Sequence, residues 1–159
     1  MKSQHHKIVY EILPNLAKRL EKEGVISAWN RKQFKIFLAR DSEPIIIRPD
    51  LVLHLPDQRR VLAEVINPKK KPKRFVGELV YPHILGHFRR IEAVIFFVLS
   101  HGIKVQKMER SMTQEMALSR FFKKTIPDIA IHSDFSQPEE LYRILKHSLT
   151  DYQRKGKFY

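Results

Sequence analysis

Two apolar runs joined by a short polar turn constrain the fold of this chain more than any other feature. Residues 45–55, IIIRPDLVLHL, and residues 61–66, VLAEVI, are rich in Ile, Val and Leu, and PDQRR separates them. Such runs around a Pro-Asp turn predict two strands paired as an antiparallel hairpin. Each run contains one acid, Asp50 or Glu64. Because burying an unpaired carboxylate costs several kcal/mol, either a cation neutralises both acids or both lie at an exposed edge.

The remaining patterns place helices and further strands around this hairpin. Helical spacing of apolar residues predicts a first helix over residues 5–24, with Pro14 as its kink or its true start. We expect further strands at residues 25–29, 33–39, 92–100 and 128–133, and further helices at residues 75–90 (interrupted at Pro82 and Gly86), 106–124 and 137–157. This order predicts one α/β or α+β domain over residues 1–159, with a mixed central sheet containing an antiparallel meander and flanked by helices.

The charge of the chain predicts a polyanionic partner. Thirty Lys and Arg residues against 17 Asp and Glu residues give a formal net charge of +13. Such an excess favours nucleic acid, most simply DNA, over an anionic membrane surface or an acidic protein. The absence of cysteine excludes disulfides and thiol catalysis. The apolar runs are too short for a membrane helix and the N-terminus lacks a signal-peptide core, so we expect a cytoplasmic protein, with the nucleoid or nucleus left open.

The alternation of side chains predicts that the two acids share one face of the hairpin. Glu64 lies on the same face as Leu62 and Ile66, and Asp50 on the same face as Val52. Two carboxylates that close together repel unless they share a proton or a metal ion. Oxygen ligands suit Mg²⁺ or Mn²⁺, which also bind phosphate.

The segments RPD, at residues 48–50, and AEVI, at residues 63–66, resemble the PD-(D/E)xK nuclease superfamily of restriction enzymes and Holliday-junction resolvases. The resemblance implies a restriction-endonuclease-like core over about residues 7–100, with a C-terminal helix–strand–helix extension over about residues 104–155. It also implies hydrolysis of DNA phosphodiester bonds with Mg²⁺ or Mn²⁺ bound by Asp50 and Glu64. Glu11 would match an additional acid that many of these nucleases carry on the first helix.

The sequence departs from the superfamily pattern at Ile66, where the motif has a lysine. The family lysine sometimes migrates to a neighbouring element, and Lys69, Lys73 and Lys35 are candidates here; we assign the catalytic role to Lys69 beside Asp50, Glu64 and Glu11. The alternative is a catalytically inactive protein that binds nucleic acid on the same fold.

A basic segment follows the second strand directly. Five cations predict contacts to a phosphate backbone, which gains affinity by releasing counterions; they are Lys69, Lys70, Lys71, Lys73 and Arg74. A solvated loop or a localisation-type basic run is the alternative. A homodimer is expected if the chain cuts both strands.

Each candidate residue also has a purely structural interpretation. Asp50 could face solvent at a strand end, and Glu64 could pair with Arg48 or Arg59 across the strands. Glu11 could be an ordinary surface residue of the first helix. The histidines are expected to be a terminal pair at positions 5 and 6, a packing residue at position 54, and a disfavoured zinc pair at positions 83 and 87.

Overall fold

The computed structural model describes residues 3–67, 72–99, 128–132, 135 and 137–158, with residues 72–79 described by their backbone course. Its helices are α1 (Gln4–Lys7), α2 (Leu13–Lys22), α3 (Pro72–His87) and α4 (Pro138–Lys155), and a π-helical turn, Ile8–Ile12, joins α1 to α2. Its strands are β1 (Ala28–Asn30), β2 (Phe34–Ile36), β3 (Ile45–Ile47), β4 (Leu51–His54), β5 (Arg60–Ile66), β6 (Ala93–Val98) and β7 (Asp128–His132).

The strands form two sheets. A five-stranded mixed sheet has the order β1-β4-β5-β6-β7, in which β1, β4 and β5 are antiparallel while β5, β6 and β7 are parallel. Strands β2 and β3 form a separate antiparallel pair. The prediction of a mixed α/β architecture flanked by helices is therefore confirmed. The expected closing strand and helix are present as β7 and α4, and the helix predicted over residues 106–124 lies outside the described residues.

Both faces of the large sheet are covered by apolar side chains. Residues such as Leu53, Ala63 and Phe97 pack against the first helix and α4 in one buried cluster. On the opposite face, residues such as Leu62 and Phe96 pack in a second buried cluster with α3 and the β2–β3 hairpin. Burial on both faces explains why strand β6 is apolar throughout, as its sequence predicts.

The apolar run over residues 45–55 is two strands and not one, which corrects the prediction of a continuous strand. Ile45–Ile47 pairs with β2 in the small sheet, whereas Leu51–His54 pairs with β5 in the large sheet. Pro49 lies between them, and proline has no N–H for a sheet ladder. The chain therefore changes sheets at Arg48–Pro49–Asp50.

Helix α3 begins earlier than the sequence predicts and has no interruption. It begins at Pro72, so Lys73 and Arg74 are helical and not part of a loop, because proline is well tolerated in a first helical turn. It also continues through Pro82 and Gly86, where an interruption was expected. Pro82 is buried and Leu85 is 0% exposed, so packing offsets the lost backbone hydrogen bond. Pro14, near the start of α2, follows the π-helical turn directly.

The connection between β4 and β5 is the tight Pro56–Asp57 turn that the sequence predicts. The Gln58 N–H donates to the Leu55 carbonyl at 2.9 Å, and the Asp57 carboxylate accepts from the Arg59 N–H at 3.0 Å. This turn fixes the register of the β4–β5 pair. Among the described residues, no helix combines the length and apolar character needed to traverse a bilayer.

Candidate functional site

The structure brings Asp50 into contact with Glu64 and Val65 of β5 through two hydrogen bonds. The Asp50 backbone N–H donates to Glu64 Oε1 at 3.2 Å. The Val65 backbone N–H donates to Asp50 Oδ2 at 2.8 Å. Both acids are half-buried. The shared face predicted from the alternation of side chains thus corresponds to a pair of carboxylates at the start of β4 and near the end of β5, which we call the carboxylate pair.

Pro49 explains why side chains, and not backbone groups, make these contacts. Leu51 pairs with Ala63, so the same register continued by two residues would place Pro49 opposite Val65. Proline cannot donate a hydrogen bond, and the chain leaves for the small sheet at this point. The Asp50 carboxylate accepts the hydrogen bond that the Val65 N–H would otherwise donate to a backbone carbonyl. The sheet ends here with side chains completing its ladder.

His5 supplies the other missing partner of Val65. Its Nε2 lies 3.0 Å from the Val65 carbonyl oxygen, and since a carbonyl can only accept, Nε2 is the donor. His5 was expected to belong to a solvent-exposed terminal pair, and that expectation is wrong. The contact anchors the beginning of the first helix beside the end of β5. Glu11 is exposed in the π-helical turn of the same helix, and its catalytic role stays a prediction.

The donor set of the carboxylate pair determines which ion it could hold. Each carboxylate has two oxygens, of which Asp50 Oδ2 and Glu64 Oε1 accept backbone hydrogen bonds. Two carboxylates are a ligand set that Mg²⁺ accepts, because Mg²⁺ keeps several waters and completes its shell with substrate phosphate. Within the described residues, no group of three or more His, Asp or Glu side chains is arranged to hold an ion. Among the described residues, an ion at this position would therefore have only the two carboxylates as protein ligands.

Ile66 occupies the position of the motif lysine and is part of the apolar core. It is 1% exposed and packs in the same buried cluster as Leu62 and Phe96. Of the substitute lysines, Lys35 is exposed on β2, where it pairs with Ile46. Lys73 lies in the first turn of α3, and Lys69 lies outside the described residues.

The basic segment connects the carboxylate pair to α3. Strand β5 ends at Ile66 and α3 begins at Pro72, so the segment starts three residues after β5. Lys69, Lys70 and Lys71 lie outside the described residues, whereas Lys73 and Arg74 belong to the first turn of α3. A helix N-terminus carries positive partial charge, which adds to the charge of Lys73 and Arg74. The first turn of α3 would therefore attract an anion such as a phosphate.

Contacts elsewhere concern three of the other residues considered in the sequence analysis. Arg59 donates to Asp57 at 2.6 Å and to the Gln153 carbonyl at 3.1 Å. His54 contacts the Asn30 side chain at 2.9 Å and pairs with Arg60, at the end of β4 remote from Asp50. The two histidines of the disfavoured zinc pair differ in burial, with His83 5% exposed and His87 exposed.

A cavity that the sequence did not indicate lies at the carboxyl end of β7. It measures about 430 Å³ and is lined by residues of β7 and α4; they are His132, Glu140, Arg143, Ile144, His147 and Ser148. Ser148 Oγ lies 3.3 Å from His132 Nε2, and burial lowers the pKa of His132. Only the placement of β7 beside α4 brings these side chains together, because no motif spacing links them.

Comparisons of the chain with protein-family models, with curated proteins and with solved structures find no match.

Proposed function

We propose that this protein is a metal-dependent nuclease that hydrolyses DNA phosphodiester bonds, with Asp50 and Glu64 as the metal ligands. The observation that carries the proposal is the contact of Asp50 with β5, in which the Asp50 N–H donates to Glu64 Oε1 at 3.2 Å and the Val65 N–H donates to Asp50 Oδ2 at 2.8 Å. Neither acid belongs to the Arg59–Asp57 ion pair of the nearby turn. Glu64 lies on β5, the strand that leads into the basic segment.

The order of elements also supports the proposal. A first helix, the antiparallel strands β1, β4 and β5, the helix α3 and the parallel strand β6 follow one another along the chain. The resemblance to PD-(D/E)xK nucleases implies the same order of helix, meander, helix and strand. In this comparison the β2–β3 hairpin is an insertion between the first and second strands of the meander.

The residues of the chain would divide the reaction between them. When bound at Asp50 and Glu64, Mg²⁺ or Mn²⁺ would polarise a phosphoryl oxygen and lower the pKa of an attacking water. The backbone N–H groups of Asp50 and Val65 hold the carboxylates in position. The cations Lys69, Lys70, Lys71, Lys73 and Arg74 would bind the DNA backbone, and Lys69 is our candidate for the lysine that Ile66 replaces.

The burial of Ile66 favours a second candidate function, nucleic-acid binding without catalysis. A buried isoleucine can neither orient water nor stabilise a charged phosphate, so catalysis would need a group from another element, such as Lys69, in its place. The two functions share the basic segment and differ in whether a metal ion and cleavage are involved.

Isosteric variants test the nuclease proposal. Asp50→Asn and Glu64→Gln keep the oxygen that accepts each backbone hydrogen bond and remove the negative charge that a metal requires. We expect the wild type to cut plasmid, branched or single-stranded DNA in Mg²⁺ or Mn²⁺ and not in EDTA. Each variant should lose activity by ~100-fold or more while its thermal unfolding stays unchanged.

Two results would contradict the nuclease proposal. One is full activity in Asp50→Asn, and the other is a wild type that cuts none of these substrates. Retained binding of the uncut substrates would then favour the second candidate function.

A further inference from the structure

The β2–β3 hairpin presents an exposed surface that the core does not require. Its inner side chains are covered, since Ile36 is 2% exposed and Ile47 is 5% exposed, and both pack in the buried cluster beneath α3. Four exposed side chains lie on its strands or directly after β2, and we call them the outer hairpin surface; they are Lys35, Phe37, Leu38 and Ile46. Phe37 is 60% exposed, Leu38 57% and Ile46 46%.

The outer hairpin surface combines apolar groups with positive charge. Residues 31–48 contain five basic side chains against two acidic ones. Lys32, Lys35, Arg40 and Arg48 are exposed among the apolar residues. This combination fits a polyanion that also carries flat apolar groups.

A second copy of the chain fits this surface poorly. A two-fold interface would place each cation of the hairpin near the same cations of the partner copy, and such like-charge contacts are unfavourable. Three apolar side chains also provide less area than the roughly 1,000 Å² that a stable interface needs. Charge complementarity therefore favours nucleic acid as the occupant.

We infer that the outer hairpin surface binds a single-stranded segment of nucleic acid, with an unpaired base stacked on Phe37 and backbone phosphates against Lys35 and its neighbouring cations. In a duplex the base faces are already stacked within the helix, so an exposed phenylalanine gains nothing from them. The inference rests on the proposed nucleic-acid function and specifies its substrate: DNA with an unpaired region, as at a branch, flap or frayed end.

The position of the hairpin relative to the carboxylate pair agrees with this inference. Ile46 precedes Asp50 by four residues, so the two Cα atoms are at most ~14 Å apart. The connecting residues are Ile47, Arg48 and Pro49, of which Arg48 is exposed. Phe37 follows Ile36, which pairs with Ile45, so a single strand stacked on Phe37 would run along Lys35 and Ile46 to reach Asp50 and Glu64.

The inference is tested by fluorescence anisotropy in EDTA, which prevents cleavage, at one stated salt concentration. Labelled oligothymidine and a duplex with the same number of phosphates are titrated with wild type, Phe37→Ala, Phe37→Tyr and the control Phe88→Ala. Phe88 is 39% exposed at the end of α3, so its substitution removes an equivalent ring elsewhere.

We expect Phe37→Ala to weaken single-strand binding roughly 5- to 150-fold, the range for loss of one base–aromatic stack. Phe37→Tyr should restore the affinity, whereas Phe88→Ala and the duplex affinities should change by less than about 2-fold. The inference is overturned if Phe37→Ala binds oligothymidine as tightly as wild type, if Phe88→Ala loses as much, or if wild type binds neither probe. A change of sedimentation coefficient in Phe37→Ala would instead identify an interface between copies and also overturn it.

The nuclease proposal fails on a different readout. Suppose that the wild type does not cut DNA in Mg²⁺ but that its single-strand affinity depends on Phe37. This result would contradict the nuclease proposal and support the hairpin inference. If Phe37→Ala still cuts DNA and its single-strand affinity is unchanged, the nuclease proposal is supported and the hairpin inference is contradicted.

Discussion

Pro49 determines the local structure around the carboxylate pair. Because it cannot donate a hydrogen bond, it breaks the ladder opposite Val65, and the side chains of His5 and Asp50 complete it at 3.0 Å and 2.8 Å. The same residue that ends the strand therefore brings an acid to the end of β5. The proposed metal-binding role and the structural role coincide at Asp50, so a substitution there must separate charge from hydrogen bonding.

His5→Ala is expected to lower the free energy of unfolding by ~1–3 kcal/mol, because the half-buried Val65 carbonyl loses its donor. Chemical denaturation monitored by circular dichroism measures this change. The control Lys7→Ala, at an exposed position two residues further along α1, should stay within about 0.5 kcal/mol. Equal effects from the two substitutions would show that the His5 contact adds no stability.

The acids of the site could be predicted from sequence, but their partners could not. The alternation of side chains places Asp50 and Glu64 on one face, because β-strand geometry has a period of two. His5 lies 60 residues from Val65 in the chain, and a polar residue near a terminus belongs to no periodic pattern. Its contact depends on where the first helix packs, which is a property of the tertiary structure.

At the scale of elements, the apolar patterns predicted β4, β5, β6, β7 and α4 because each is bounded by turn residues. The division of residues 45–55 between two sheets was missed, since apolar character alone does not distinguish one strand from two. Pro49 was the signal, because an interior strand tolerates no proline. The continuous α3 was missed for the opposite reason, as burial of Pro82 and Leu85 outweighs the local preference against a helix.

The contact between α2 and α4 contains a cluster of charged and aromatic groups around Glu23. Lys146 Nζ lies 2.8 Å from Glu23 Oε2, Tyr142 donates its hydroxyl to the same carboxylate, and Arg19 lies over the Tyr142 ring. Hydrogen bonds from Lys146 and then Tyr142 lower the pKa of Glu23 to about 2. The cluster therefore links the C-terminal end of α2 to α4.

This cluster predicts a specific acid sensitivity. The pKa of Glu23 in the folded state lies below its ordinary value of 4.5, so its stabilising effect is present above about pH 4.5 and is lost as the pH falls toward 2. We expect the melting temperature of wild type to exceed that of Glu23→Gln at about pH 6, with the difference vanishing near pH 2. A pH-independent difference would show that Glu23 acts through packing and not through its charge.

At the scale of the whole molecule, the charge of +13 predicts affinity for polyanions, and the question is whether one surface carries it. Replacing Lys69, Lys70 and Lys71 with alanine should weaken binding on all DNA sequences alike. The slope of log K against log salt on duplex DNA should flatten by roughly 0.9 per lost contact, up to about 2.7. Titrations at several salt concentrations measure this slope.

A matched control removes the same charge from another surface. The control replaces three exposed lysines with alanine; they are Lys18 and Lys22 on α2 and Lys155 at the end of α4. These helices cover the face of the large sheet opposite to α3. Lys146 is unsuitable because it pairs with Glu23. Equal losses from the two triple substitutions would mean that net charge, and not the basic segment, holds the DNA.

The central claim, that Asp50 and Glu64 form a metal site, is tested most directly by titrating the protein with Mn²⁺ and following free ion by electron paramagnetic resonance. We predict one ion bound per chain in wild type and none in the double variant Asp50→Asn, Glu64→Gln, whose unfolding free energy should stay within about 1 kcal/mol of wild type because both backbone hydrogen bonds keep their acceptors. Equal Mn²⁺ binding by the two proteins, or none by either, would contradict the claim.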